Sequence, residues 1–164
     1  TTVTLSVTKS GIGKGKVTSA PTGIDCGSVC SANFVKGNLV TLTATPEVGS
    51  YFSAWSGACT GISKTCTVTM DVAKTVNAQF NLPNQLLTVT KNGTGTGTVV
   101  SNVAPVNCGT TCSGYYTFGR AITLTATPAV GSIFTGWSGS CTGTSTCSLL
   151  MTEAKNVTAT FSIQ

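Results

Sequence analysis

Two four-cysteine blocks, one after the other, constrain this chain more than anything else in it. Cys26, Cys30, Cys59 and Cys66 return as Cys108, Cys112, Cys141 and Cys147, the first three 82 residues on and the fourth 81. Trp55, Met70 and Phe80 return as Trp137, Met151 and Phe161. Aligned with one deletion, residues 5–80 and 87–161 are identical at 39 of 75 pairs. A duplication with a period of about 80 residues predicts two tandem units in place of one larger fold. The boundaries read as 1–81 and 82–164. The duplication is also an internal control: residues kept in both copies form a common framework, and a residue present in one copy cannot serve a site shared by both.

A domain of about 80 residues buries a modest core and is marginal without staples. Eight cysteines, divided evenly, can supply them. Thr accounts for 32 of the 164 residues and charged residues for 8%, while 40% are hydrophobic. That hydrophobic share argues against disorder. Abundant β-branched residues favour strands with an uncharged, Thr-coated surface. The net charge of +5 is scattered, with only Lys14 and Lys16 close together, so the clustered basic footprint of a nucleic-acid binder is missing. No apolar run approaches the ~20 residues of a membrane span. With no leader, no initiator Met and an end at a repeat boundary, the chain reads as a piece of something longer.

Thr2–Lys9 alternates, with Val3, Leu5 and Val7 on one side, which predicts a half-buried strand. Glycines from Ser10 to Gly15 predict a turn, and Lys16–Ser19 a return strand, together a hairpin. The second copy repeats this through Gly93–Gly97. Ala20–Gly37 reads as irregular. Leu39–Thr45 alternates with Leu42 and Ala44 inward, Pro46 and Gly49 mark a turn, and Tyr51–Ser56 is a further strand. Cys66–Met70 and Thr75–Phe80 complete the unit, with Val76, Ala78 and Phe80 inward, and Asn81–Leu86 links to the next. The expected architecture is all-β: two tandem small domains, β-grasp-like or sandwich-like, of five or six short strands each with little or no helix.

Four cysteines per copy allow three pairings. Cys26–Cys30 with Cys59–Cys66, and Cys108–Cys112 with Cys141–Cys147, are favoured because each pair brackets one loop. The crossed pairing, Cys26–Cys59 with Cys30–Cys66, stays open on spacing alone. A zinc site is the rival, but C-x3-C followed by C-x6-C or C-x5-C, without any His, fits zinc knuckles poorly. Disulfides imply an oxidising compartment, outside the cell, at its surface or in a periplasm.

Several motifs together carry a family resemblance. They are Cys26-Gly-x-x-Cys30, Val40-Thr-Leu-Thr-Ala-Thr-Pro46, Gly49-Ser-x-Phe52-x-x-Trp55-Ser-Gly57-x-Cys59, Cys66-Thr-Val-Thr-Met70 and Lys74-x-Val76-x-Ala78-x-Phe80. The second copy matches at Ile122–Pro128, Gly131–Cys141, Cys147–Met151 and Lys155–Phe161. The chain resembles the divergent internalin-type B-repeat, or bacterial repeat domain, in a disulfide-bearing form. The resemblance implies tandem repeats in large secreted or surface-anchored bacterial proteins, acting as spacers, stalks or adhesive arms beside other domains. It implies a small β-grasp-like sheet, although the Gly-rich Cys26–Cys30 loop occupies the place of that fold's short helix. It carries no catalytic residue set.

Chemistry-bearing residues are few. No His exists, so His-based triads and His metal sites are excluded. The acids Asp25, Glu47, Asp71 and Glu153 align with Asn107, Ala129, Thr152 and Val72, so none is kept in both copies. Gly93–Gly97 lacks the Lys-Ser/Thr ending of a phosphate loop. Trp55 and Trp137 are the candidate ligand surface, since a Trp on an exposed β face can stack on a sugar; the favoured reading is that Phe52 and Trp55 seal the small core against the neighbouring disulfide loop. Phe52 and Trp55, three apart, point to opposite faces of a regular strand unless a bulge realigns them. The outward rows Thr41, Thr43, Thr45 and Thr123, Thr125, Thr127 read as ordinary β-surface. The expected role is a non-catalytic extracellular spacer or fibre module without cofactor or metal. Its expected partners are other domains of a larger secreted protein or neighbouring copies. A carbohydrate-binding module of a secreted enzyme, holding surface glycans through the two tryptophans, is the alternative.

Overall fold

The computed structural model describes residues 1–164, in which every regular element is a strand. The chain divides into two compact units, Thr1–Pro83 and Asn84–Gln164. In the first the strands are β1 (Thr2–Ser10), β2 (Gly15–Ala20), β3 (Ser31–Val35), β4 (Leu39–Pro46), β5 (Tyr51–Gly57), β6 (Thr65–Thr69) and β7 (Lys74–Asn81). They form a four-stranded sheet, β3-β1-β7-β5, and a three-stranded sheet, β2-β4-β6. The second unit has β8 (Asn84–Asn92), β9 (Gly97–Ser101), β10 (Ser113–Thr117), β11 (Ala121–Pro128), β12 (Ser132–Gly139), β13 (Cys147–Leu150) and β14 (Lys155–Ile163). Its sheets repeat the pattern as β10-β8-β14-β12 and β13-β11-β9.

Period-2 patterning places the core. Val40, Leu42 and Ala44 of β4 are at most 1% exposed, and the threonines between them face outward. Leu5, Val76, Ala78 and Phe80 from the larger sheet, Val17, Leu42 and Val68 from the smaller one, and Met70 just past β6 share a single core. The two sheets therefore pack face to face, sandwich-like. Leu124, Met151, Val157 and Phe161 repeat this in the second unit, whereas Phe134 is half-buried where Phe52 is buried.

Four expectations are corrected. β1 and β2 are not a hairpin: β1 pairs with β3 and β7, and β2 with β4 in the other sheet. The irregular stretch contains β3, a short edge strand whose weak alternation hides it. Each unit has seven strands, not five or six. The link is reduced to Leu82 and Pro83, because β7 runs to Asn81 and β8 begins at Asn84.

The glycine stretch is a corner that hands the chain from one sheet to the other. Gly13 N–H donates to the Phe80 carbonyl at 3.0 Å, and Gly95 repeats the bond to Phe161 at 3.0 Å. A Cβ on Gly11 would overlap that carbonyl, and one on Gly15 would overlap the Phe80 ring. Gly93 and Gly97 meet Phe161 in the same way. Close approach of the corner to the last strand is thus the reason for Gly-x-Gly-x-Gly. Gly15→Ala is expected to cost about 1–3 kcal/mol in urea unfolding. The cost should shrink in a Phe80→Leu background, as a double-mutant cycle would show.

Candidate functional site

The disulfide loops and their tryptophans are the features that both copies keep beyond a plain β core. Cys26 pairs with Cys30 and Cys108 with Cys112, each with Cα atoms 4.3 Å apart. Cys59 pairs with Cys66 and Cys141 with Cys147, at 6.3 and 5.8 Å. Every cysteine is bridged, which leaves no thiolate to ligate a metal.

The first loop adds to the outer edge of β2. Cys26 N–H donates to the Val17 carbonyl at 2.7 Å, Ser19 N–H to that of Ile24 at 3.0 Å, and Thr18 pairs with Asp25. The second loop covers the outer edge of β5, where Trp55 N–H donates to the Gly61 carbonyl at 2.8 Å. The equivalents, Val100 with Asn107 and Trp137 with Gly143, recur in the second unit. An unpaired sheet edge is a template for aggregation. Each unit has four sheet edges, and the bridged loops cover two of them. The other two, β3 and β6, are only five residues long.

A bulge between Phe52 and Ala54 brings Phe52 and Trp55 to the same side of β5. Their ring centroids lie 5.0 Å apart, and Phe52 lies 5.8 Å from Phe80. Phe134 and Trp137 repeat the contact at 4.9 Å after a matching bulge. Trp55 is 3% exposed and Trp137 5%. Their indole N–H groups donate inside the disulfide loops, to the carbonyls of Ser63 at 2.7 Å and Ser145 at 2.6 Å. Both rings therefore seal the core beneath the loop, as the packing reading of these residues has it, and little of either face is open to solvent.

Four lysines bear on the framework. Lys9 Nζ donates to the Gly15 carbonyl and Lys91 Nζ to that of Gly97, each at 3.0 Å, so the shared lysine tethers the glycine corner. Lys74 lies 2.7 Å from Asp71, and Lys155 lies 2.9 Å from Glu153. The hydrogen bond from each lysine holds its carboxylate below the ordinary range. These acids occupy non-equivalent positions in the alignment, yet each meets the same shared lysine. A one-residue shift in the turn hid a conserved surface pair.

One buried polar cluster belongs to the second unit alone. Tyr116 stands where the first unit has Phe34. Its hydroxyl accepts from Val106 N–H at 3.2 Å, donates to the Val103 carbonyl at 3.0 Å and lies 2.9 Å from Ser101 Oγ. No buried side-chain polar atom in the chain lacks a partner. Tyr116→Phe leaves the Val106 N–H without its acceptor, while Ser101 Oγ keeps its bond to the Val106 carbonyl, and is expected to cost the second unit about 1–3 kcal/mol in urea unfolding. The first unit, already built on Phe34, should be unaffected.

The chain is similar along 99% of its length to part of the Bacillus anthracis TIE protein, with a TM-score of 0.56 at 10% identity. It spans 34% of that protein's length. It also aligns with the major pilin protein T-13 of Streptococcus pyogenes serotype GAS131465, at a TM-score of 0.43 and 10% identity, covering 99% of this chain and 97% of the pilin. No curated protein matches its sequence. Residues 5–84 and 87–164 each match the divergent InlB B-repeat domain, so the chain belongs to that family as two tandem copies.

Proposed function

We propose that the chain is a non-catalytic structural spacer of an extracellular bacterial protein, holding other domains of that protein, or further repeats, at a distance. One observation carries this reading: the first and last strands of each unit run parallel. β1 pairs with β7 from Leu5↔Lys74 to Ser10↔Gln79, and β8 with β14 from Leu87↔Lys155 to Asn92↔Thr160. Each unit therefore begins at one pole and ends at the opposite one. A nine-residue β1 sets the pole-to-pole length at about 30 Å. This polarity within each unit is what a repeat needs if each further copy is to add length. Four disulfides fit an oxidising setting outside the cell. Two covered edges per unit and a sparsely charged, Thr-rich surface suit repeats that keep their sheets from merging.

The test is growth of length. In small-angle scattering, head-to-tail concatemers of this chain should lengthen by about 30 Å per added unit. Compact growth, scaling with the cube root of mass, would rule the spacer out. Glycan arrays should show no binding that depends on Trp55 or Trp137. A saturable sugar affinity abolished by Trp55→Phe would decide for a binding module.

A further inference from the structure

We propose that each unit is a tension-bearing module in which the parallel pair of first and last strands is the mechanical clamp. This goes beyond the spacer reading, since a spacer need only hold a distance. The chain enters the first unit at the start of β1 and leaves at the end of β7, and these strands are hydrogen-bonded neighbours over six paired positions. Pulling on the two ends drags β1 and β7 in opposite directions along their common axis. The bonds of a parallel ladder are evenly spaced along that axis. They share the load and must give way together. A pull across the ladder would break them one after another. β8 and β14 repeat the arrangement over six positions.

Further contacts reinforce the pair. Thr8 Oγ1 donates to Asn77 Oδ1 at 3.0 Å, and Asn77 Nδ2 donates to Ser10 Oγ at 2.8 Å, tying β1 to β7 through side chains. The glycine corner bonds the Phe80 carbonyl at the far end of the pair. β1 and β7 are the two inner strands of their sheet, so β3 and β5 shield the ladder's flanks from competing water. The bridges do not link the two clamp strands, although the Cys30 carbonyl takes the Val7 N–H bond of β1 at 2.7 Å. Cys26–Cys30 and Cys59–Cys66 close local loops, with sequence separations of 4 and 7. They guard edges without joining the strands that take the pull.

Single-molecule force spectroscopy on the intact oxidised chain tests this. Held by its termini, the chain should show two rupture peaks, one per unit. Azide-bearing residues in place of Thr4 and Ala73, at the same end of β1 and β7, allow the pair to be pulled apart as a zipper. The end-to-end peak should exceed the zipper peak by at least about threefold at equal pulling speed. Pulled by its termini, the azide-bearing chain should reproduce the unaltered peaks, which checks its fold. Reduction should leave the end-to-end peak within about a fifth of its oxidised height, while each release lengthens by roughly 30 Å as loop residues are freed. Equal peaks in the two geometries would overturn the clamp. So would an end-to-end peak halved by reduction, which would place the load on the bridges. Either failure leaves the spacer reading standing, because that reading rests on growth of length and not on force.

Discussion

Phe161→Ala is expected to remove about 3–5 kcal/mol from the second unit. Domain stabilities are about 5–15 kcal/mol, so this is a large share of the total. Phe161 is fully buried, its ring lies 5.5 Å from Phe134, and its edge fills the space that Gly97 leaves open. Its carbonyl takes the bond from Gly95 N–H. Truncation empties the junction of the last strand, the bulged strand and the glycine corner at once. The corner cannot collapse to refill it, because its backbone already touches β14 elsewhere. Phe80→Ala should act likewise on the first unit, where Phe80 is 1% exposed. Urea unfolding followed by hydrogen exchange resolves the units, and each unaltered unit is the internal control. A loss under about 1 kcal/mol would show that the corner does relax around the cavity.

Reduction of the bridges should act on both units together. A loop as short as Cys26–Cys30 or Cys59–Cys66 restrains the unfolded chain by roughly 2 kcal/mol in the chain-entropy picture. Two bridges per unit then amount to about 4 kcal/mol, or roughly a thousandfold in the opened population. The loops also hold strand edges, so their release should expose β2 and β5. Protease digestion of the reduced, alkylated chain should accelerate steeply. The first cuts should fall within residues 20–30 and 57–66, or the matching loops of the second unit, because local opening precedes global unfolding there. Unchanged digestion after reduction verified by mass would be falsifying for the edge-guard role of the loops. Cuts elsewhere would move the weak point to the uncovered edges β3 and β6.

The sequence by itself determined the duplication, the all-β class and most of the core. Alternation along Leu39–Thr45 and Thr75–Phe80 can be met only by strands with one face inward, and Leu42, Val76, Ala78 and Phe80 lie on that face. Shared motifs named the family for the same reason, since two diverged copies keep what the fold requires.

Partner choice was decided by the tertiary structure. A strand's alternation is the same whether it pairs with its neighbour in sequence or with a strand some 70 residues on, so β1 looked like half of a hairpin and is instead the parallel partner of β7. The glycines that suggested the hairpin are there because the corner presses on Phe80, a contact with no local signature. The three-residue spacing of Phe52 and Trp55 was equally silent. Only packing against Phe80 and the disulfide loop selects the bulge that turns both rings inward. The same packing leaves Trp55 3% and Trp137 5% exposed. Local pattern reports which face of a strand is apolar, whereas the neighbour that covers it is set by the global minimum of packing and hydrogen bonding.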